Sequence, residues 1–329
     1  MGDTAVDRPS SWAAIAITLA AGHLGCAEVS RIMGSTWHEK CGWEAEDFFD
    51  DPQVIALCQA IEADELVEID RLVAAGADVN AQGKGRMTPL LWAFPDNKLA
   101  RFEKLLKHGA NPNVAIESDF NTRGGMMPGD SVTHMASNTH FPGYFEAVFK
   151  HGGNPNLVKN TKLAWNETSL FTVIKGSADN KKEKVRLLIE KGADLDHMDR
   201  GGSNPTMTAV GWGGQYDIAL MLLEAGADHR VYKPMSNSRL IHIVLAEERR
   251  SASWTPQQAA DYQALLQWLV DHGESVEEAK ADRERWKSWS QTTGEYRRKM
   301  DAEIAQRKAR EARKQRAAEE AGEADQDDE

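Results

Sequence analysis

Residues 88–113 read TPLLWAFPDNKLARFEKLLKHGANPN, and this stretch decides the fold. Thr88 is a residue type that caps helices, and Pro89 suits the first helical position, where no amide donor is needed. Gly109 is expected to end a second helix, because glycine adopts a left-handed backbone at low energetic cost. The stretch therefore predicts two helices followed by a tight turn.

The turn at Gly109 recurs along the chain. Its copies are GADVN at 76–80, GANPN at 109–113, GGNPN at 152–156, GADLD at 192–196, GADHR at 226–230 and GESVE at 273–277. Apolar residues lie seven, four and three positions before each glycine, and this spacing places each trio on one helix face. The trios are Ile69, Leu72 and Val73; Phe102, Leu105 and Leu106; Phe145, Val148 and Phe149; Val185, Leu188 and Ile189; Ala219, Leu222 and Leu223; and Leu266, Leu269 and Val270. An Asp or Asn two residues after the glycine is expected to accept a backbone hydrogen bond and hold the turn.

The helix start at Thr88 also recurs. The same position in the later copies is held by capping residue types, namely Ser131, Thr168, Asn204 and Ser238. His134 and Ala136 preserve more of the pattern in the third copy. These features closely resemble the ankyrin repeat, whose signature is T-P-L-H-x-A, two antiparallel helices and a G-A-D-V-N turn.

The resemblance implies an all-α fold, an ankyrin-repeat solenoid of stacked helix-turn-helix units with a charged C-terminal helix. One repeat cannot bury both sides of its helix pair, so neighbouring repeats must cover it. Within a domain spanning 52–279, the repeats are expected at about 52–84, 85–117, 128–160, 165–199, 201–234 and 235–279. Aromatic residues are expected to cover the ends of the stack: Trp37, Trp43, Phe48 and Phe49 of a capping segment at 26–51, and Trp268, Trp286 and Trp289.

The start of the chain carries an uncharged apolar run from Trp12 to Cys26. It is shorter than the roughly 18 residues that a spanning helix needs, but it suits the apolar core of a secretion signal. Its end, Leu24-Gly25-Cys26, resembles the lipobox of bacterial lipoproteins, in which the cysteine is acylated. We therefore expect residues 1–25 to be a signal peptide and Cys26 to carry a lipid that holds the protein in a cell envelope. The alternative is a buried first helix of a cytoplasmic protein.

The end of the chain is strongly charged. Ser275 and Glu278 have the spacing of a capping box, which predicts a helix start, and residues 280–320 are expected to form a charged helix. Residues 281–316 carry a net charge of +6, whereas residues 321–329 belong to an acidic tail that is expected to be disordered. The whole chain has a net charge of −12, so we do not expect its general surface to bind nucleic acid. A nucleic-acid contact through the basic helix remains an alternative.

Partner-binding residues are expected on the turn tips and first helices, because the resemblance implies that these line the concave binding face. Between Gly109 and Ser131 the turn is ten residues longer than between Gly76 and Thr88, which suggests an adapted tip. The residues expected to contact a partner are chosen by position and by residue types that anchor interfaces. They are Arg86, Met87, Trp92, Arg123, Met126, Met127, Lys162, Trp165, Arg200, Asn237 and Arg239.

The sequence lacks the familiar signatures of catalysis and of cofactor binding, including G-x-S-x-G, H-E-x-x-H, the phosphate-binding loop and the dinucleotide fingerprint. His38 and Cys41 lie close together but without a second ligand cluster, so no metal is expected. Cys41 and Cys58 are either a disulfide pair, if the chain is exported, or two thiols. The sequence therefore predicts a non-catalytic protein that binds another protein and takes no cofactor and no small-molecule substrate. The alternatives are a cytoplasmic adaptor of the same fold and an enzyme with an unrecognised site.

Overall fold

The computed structural model describes residues 36–118, 120, 126–159, 165–178, 180–233, 236, 238–289, 299, 302, 305, 306 and 309. The chain divides into two compact units, residues 1–44 and 45–329. The predicted signal peptide, Cys26, most of the predicted charged helix and the acidic tail lie outside the described residues.

In the first unit, the described residues form one short helix, α1 (Trp37–Cys41). Thr36 caps it: its Oγ1 accepts from the Glu39 backbone N–H, and the Glu39 carboxylate accepts from the Thr36 N–H. The rings of Trp37 and Trp43 pack edge to face with centroids 4.9 Å apart. This segment therefore has a small aromatic cluster of its own.

The second unit is a series of helix pairs. Its α-helices are α2 (Pro52–Glu62), α3 (Leu66–Ala74), α4 (Pro89–Trp92), α5 (Leu99–Lys107), α6 (Val132–Asn138), α7 (Tyr144–Lys150), α8 (Ser169–Lys175), α9 (Lys181–Glu190), α10 (Pro205–Gly211), α11 (Tyr216–Glu224), α12 (Leu240–Glu247), α13 (Pro256–Asp271) and α14 (Val276–Trp289). Short 3-10 segments span Ala45–Asp47, Lys84–Arg86 and Glu248–Ser253. Among the described residues, extended pairing is limited to two isolated bridges, Lys159 with Glu167 and Lys233 with Ser238.

The helices stack in two layers. In the layer of first helices, α2 packs on α4, and α6, α8, α10, α12 and α14 pack in series. In the layer of second helices, α3, α5 and α7 pack in series, as do α9, α11 and α13. The predicted all-α stack of helix pairs is therefore confirmed, and α14 takes the place of a further first helix at the end.

The capping residues act as the sequence predicts in three repeats. The side chains of Thr88, Ser131 and Asn204 accept hydrogen bonds from the backbone N–H three residues further on, whereas Thr168 makes no such bond. Ser275 likewise accepts from the Glu278 N–H, so the helix start predicted there is confirmed.

The first helix of the sixth repeat begins one residue later than predicted. Arg239, not Ser238, is the N-cap residue of α12, and its backbone N–H donates to the Nδ1 of His242. His242 therefore holds the histidine position of the T-P-L-H pattern in this repeat. Between the two helices of this repeat, residues Glu248–Ser253 form a 3-10 segment, and α13 is the longest second helix. Trp254, just before α13, packs on Tyr262 with ring centroids 4.6 Å apart.

Of the eighteen residues in the predicted apolar trios, fourteen are buried, Val73, Ile189 and Leu266 are half-buried, and Val270 is exposed. Phe102, Leu105, Val148 and Leu188 are essentially inaccessible, whereas Val270 is 41 % exposed. Val270 lies on α13, the last of the second helices, and the interior contacts of α13 come instead from Tyr262, Leu265 and Leu269. None of the described helices combines the length and apolar content that crossing a bilayer requires.

Candidate protein-binding surface

The turns are joined to one another by asparagine side chains. The amide Nδ2 of Asn80 donates to the Gly109 carbonyl at 3.0 Å, and its Oδ1 accepts from the Asn111 N–H at 2.7 Å. Asn113 makes the same pair of bonds to Gly152 and Asn154, and Asn156 makes it to Gly192 and Asp194. We call this series the Asn ladder. It fixes each turn against the next and so sets the spacing of the tips.

At the next link of the Asn ladder, an aspartate, Asp196, takes the place of the asparagine. Its Oδ1 accepts from the Asp228 N–H at 3.0 Å, but an ionised carboxylate cannot donate to the Gly226 carbonyl. Burial raises the pKa of Asp196, and the charges of Asp228 and Asp194 raise it further. The fourth link of the series therefore has only one of the two hydrogen bonds.

In five of the six turns, the predicted bond from the Asp or Asn side chain to its own backbone is confirmed. Asp78 Oδ1 accepts from the Asn80 N–H at 2.8 Å, and the same contact is made by Asn111, Asn154, Asp194 and Asp228. The preceding glycine has a positive φ, +103° at Gly226, which explains why this residue type ends the helix.

Trp165 is exposed, with 59 % of its surface accessible. Its carbonyl accepts from the Arg200 N–H at 2.7 Å. Its indole lies close to Gly201: a Cβ added at that glycine would be 3.7 Å from the ring. The tip of the fourth repeat is thus fastened to that of the fifth. A large apolar ring is presented to solvent on a backbone that is already fixed.

Tyr232 lies on the next tip and is 47 % exposed. The Arg239 guanidinium lies 5.8 Å from the centre of its ring and forms an ion pair with the buried Glu274 at 3.2 Å. Lys233 Nζ donates to Ser203 Oγ at 2.8 Å, so the sixth tip is bonded to the fifth. We call Trp165, Arg200, Arg230, Tyr232 and Lys233 the tip surface, since these residues lie on three tips that are bonded in series.

A groove of about 500 Å³ lies beside these tips, between α6 and α8. Its rims carry two ion pairs, Lys159 with Asp130 at 2.5 Å and Lys175 with Glu167 at 2.6 Å. Met127, 38 % exposed, lines it. The exposed ring of Trp212 lies 5.6 Å from Lys175 Nζ, at the end of the neighbouring first helix α10. The groove and the tip surface are both lined by apolar side chains bordered by charges.

Three predicted partner contacts are interior residues instead. Met87 and Trp92 are completely buried and Met126 is 2 % exposed, so none of them is available to a partner. Trp92 is covered because Phe48 and Phe49 pack on its indole, with centroids 5.4 and 6.4 Å away. The two phenylalanines were predicted to cover the first repeat. Phe48 O accepts from the Lys84 N–H of that repeat, and both rings also contact Trp92 of the second.

The remaining predicted residues divide into two groups. Arg86, Met127, Trp165, Arg200 and Arg239 are at least partly exposed, and Arg86 lies 3.9 Å from the carboxylate of Glu117. Arg123, Lys162 and Asn237 lie outside the described residues. Tyr232 and Trp212 are exposed, although neither was among the predicted partner contacts. The position of Tyr232 in a turn, between Arg230 and Lys233, is a usable signal in the sequence.

The side chains of the described residues do not form a group of three or more metal ligands. Cys58 is buried, and burial raises the pKa of its thiol. Burial lowers the pKa of His134, whose Nε2 contacts the Leu157 carbonyl at 3.0 Å and whose Nδ1 contacts Ser131 Oγ at 2.9 Å. This histidine therefore links one repeat to the next tip.

The family comparison agrees with the helix pairs over part of the chain. Residues 133–233 match the family model of ankyrin repeats, in three copies. This part of the chain therefore consists of ankyrin repeats, which are generally modules for binding other proteins. No curated protein matches the chain. Among solved structures, the crystal structure of an ankyrin repeat domain from Acinetobacter baumannii is 18 % identical, with a TM-score of 0.49, over 64 % of this chain and 95 % of that one.

Proposed function

We propose that this protein is a non-catalytic binding module that recognises another protein through the tip surface and the adjoining α6–α8 groove. The observation that carries the proposal is Trp165, which is 59 % exposed although its backbone is bonded to the next tip. Rigid, exposed Trp, Tyr and Arg side chains are the residue types that dominate the energy of protein interfaces. Because the tips are already fixed, little ordering free energy opposes binding.

The proposal is tested by site-specific photo-crosslinking in the cells that produce the protein. A photoreactive amino acid replaces Trp165 in one variant and Val67 in a control. Val67 is 82 % exposed but lies on α3, in the layer of second helices. We expect a protein crosslinked from position 165 and not from position 67. Equal crosslinking from both positions, or none from 165, would contradict the proposal.

The partner found in this way allows a quantitative test. Trp165→Ala is expected to weaken binding by about tenfold or more, which corresponds to at least about 1.4 kcal/mol. Val67→Ala removes a similarly exposed apolar side chain and is expected to leave the affinity unchanged. Urea unfolding of both variants shows whether the fold is retained, because neither side chain is part of the core.

We propose in addition that the chain is exported and held at a bacterial membrane by a lipid on Cys26. The support is the uncharged run from Trp12 to Cys26 and its ending Leu24-Gly25-Cys26. The test is the intact mass of the natural protein in membrane and soluble fractions. A mass that starts at Cys26 plus acyl chains is expected in the membrane fraction and is expected to be lost in Cys26→Ser. A mass starting at Met1 or Gly2 in the soluble fraction would instead indicate a cytoplasmic adaptor.

A further inference from the structure

We infer that Arg239 is a positioning residue of the tip surface: the buried carboxylate of Glu274 holds its guanidinium, and the guanidinium holds the ring of Tyr232 for the partner. This inference rests on the proposed function and deepens it. It gives the last turn of the stack, residues 273–277, a part in recognition although its Glu274 is buried.

Glu274 departs from the pattern of the turns. In every turn, the residue after the glycine donates its backbone N–H to the carbonyl five residues earlier, and Glu274 does so to Leu269 at 3.0 Å. The backbone is therefore the same in each case, and only the side chain differs. The other five turns carry a small residue at this position, namely Ala77, Ala110, Gly153, Ala193 and Ala227.

The carboxylate of Glu274 requires a partner because its side chain is only 3 % accessible. Arg239 Nη1 donates to its Oε1 at 3.2 Å. The Nε2 of His229 lies 3.9 Å from the same oxygen, which is beyond hydrogen-bond distance. Arg239 is therefore the group that compensates the buried charge, and the carboxylate in turn fixes the guanidinium.

The guanidinium of Arg239 also contacts Tyr232. Its Cζ lies 5.8 Å from the centre of the ring, within the range in which a cation is attracted to an aromatic face. The Lys233 N–H donates to the Ser238 carbonyl at 2.7 Å, so the two arms of this tip are joined between the two residues. Tyr232 is held in this way and is still 47 % exposed.

The chain of contacts from Glu274 through Arg239 to Tyr232 has a consequence for binding. A side chain that is already held in one orientation loses less freedom when a partner covers it. Arg239 is therefore expected to strengthen binding through Tyr232, and removal of Glu274 is expected to act on the same ring.

The first test uses the full chain without a partner. Tyr232 is replaced by 3-fluorotyrosine, and its fluorine resonance is recorded by NMR. Arg239→Met and Glu274→Ala are each expected to shift this resonance. The matched control is Arg250→Met, since Arg250 donates to the buried Glu247 at 3.1 Å at the far end of α12, and it is expected to leave the resonance unchanged. A resonance that neither Arg239→Met nor Glu274→Ala moves would overturn the inference.

The second test uses the partner found by crosslinking and a double-mutant cycle. Tyr232→Ala is expected to weaken binding by about tenfold, and Arg239→Met by about threefold. Arg239→Met is expected to have no further effect when Tyr232→Ala is already present, because it acts through that ring. The control Arg250→Met is expected to bind as the parent does.

A further variant separates positioning from a loss of stability. Arg239→Met leaves the carboxylate of Glu274 buried without its partner, which destabilises the fold. Arg239→Met/Glu274→Ala removes both charges and places at position 274 the residue that most of the other turns carry. It is expected to be more stable than Arg239→Met in urea unfolding and to bind as weakly. Recovery of the parent affinity would mean that the unpaired carboxylate caused the loss and would overturn the inference.

The cycle also separates this inference from the proposed function. If Trp165→Ala weakens the complex and Tyr232→Ala does not, the proposed function stands and the positioning role fails. The role also fails if Arg239→Met weakens binding by the same factor with and without Tyr232→Ala. If neither Trp165→Ala nor Tyr232→Ala weakens the complex, the proposed function fails as well.

Discussion

Asp196→Asn is expected to stabilise the protein, because it completes the Asn ladder. At the three preceding links, an asparagine Nδ2 donates to the carbonyl of the next turn glycine at 2.8 to 3.0 Å. Asp196 occupies the fourth link and accepts from Asp228, but its carboxylate has no proton to donate to Gly226. The substitution keeps the acceptor oxygen and adds the missing donor.

The magnitude follows from one added hydrogen bond. A net contribution of about 0.5–1.5 kcal/mol is typical of such a bond in a folded protein. Removal of a partly buried negative charge near Asp194 and Asp228 acts in the same direction. We therefore expect a gain of about 1 kcal/mol in the free energy of unfolding at neutral pH, measured by urea denaturation followed by circular dichroism.

The pH dependence provides an independent check. Because the folded-state pKa of Asp196 is raised above its ordinary value of 3.8, the folded chain binds more protons than the unfolded chain between those two values. The stability of the parent relative to Asp196→Asn therefore falls as the pH rises through this window and stays low above it. The advantage of the variant is expected at neutral pH and is expected to shrink as the pH approaches 3.8.

The matched control is Asn156→Asp, the reverse change at the preceding link. It removes the donor to Gly192 and places a carboxylate beside Asp194, so a loss of about 1 kcal/mol is expected. An Asp196→Asn protein that is no more stable than the parent at neutral pH, or an Asn156→Asp protein of unchanged stability, would contradict the role given to the Asn ladder.

Three further predictions follow from buried groups. Leu188→Ala is expected to cost about 2–5 kcal/mol in urea unfolding, since Leu188 is inaccessible in the core; a loss below about 0.5 kcal/mol would show that α9 is misplaced. Burial lowers the pKa of His134 in the folded protein. The contribution of this histidine to stability is therefore present at a pH above 6.5, its ordinary pKa, and is lost as the pH falls through the lowered pKa. Unfolding measured across that range in the parent and in His134→Gln is expected to show a smaller slope in the variant, and an equal slope would contradict this. The buried Lys184 donates to the Thr139 carbonyl at 3.1 Å, and burial lowers its pKa. The stability of the parent is therefore expected to rise as the pH approaches 10.5, whereas that of Lys184→Met is not. A rise of the same size in both proteins would count against this.

Much of the fold could be predicted because its determinants are local. A capping residue, an apolar trio and a turn glycine lie within one repeat, and their spacing is set by helix geometry alone. The predicted start of the first helix in the sixth repeat was wrong by one residue, because this repeat is longer than the others. Counting from Ser238 missed the cap at Arg239, although His242 three residues later matched the T-P-L-H pattern.

The candidate site was less predictable because exposure depends on distant segments. Trp92 is of a residue type that is common at binding surfaces, but Phe48 and Phe49, more than forty residues earlier, cover its ring. Trp165 and Tyr232 remain exposed although they belong to the same class of side chain. Residue type and position in the repeat identify candidates, whereas packing between segments decides which of them reach solvent.

The link that departs from the Asn ladder adjoins the tip surface. Asp196 lies at the turn that leads to Arg200, and its neighbour Asp228 precedes Arg230 and Tyr232. Departures from a local rule are expected to concentrate at functional sites, where stability is given up for binding. If this holds here, Asp196→Asn stabilises the stack and weakens the partner complex. If it stabilises the stack and leaves the affinity unchanged, the carboxylate is a stability defect with no part in recognition.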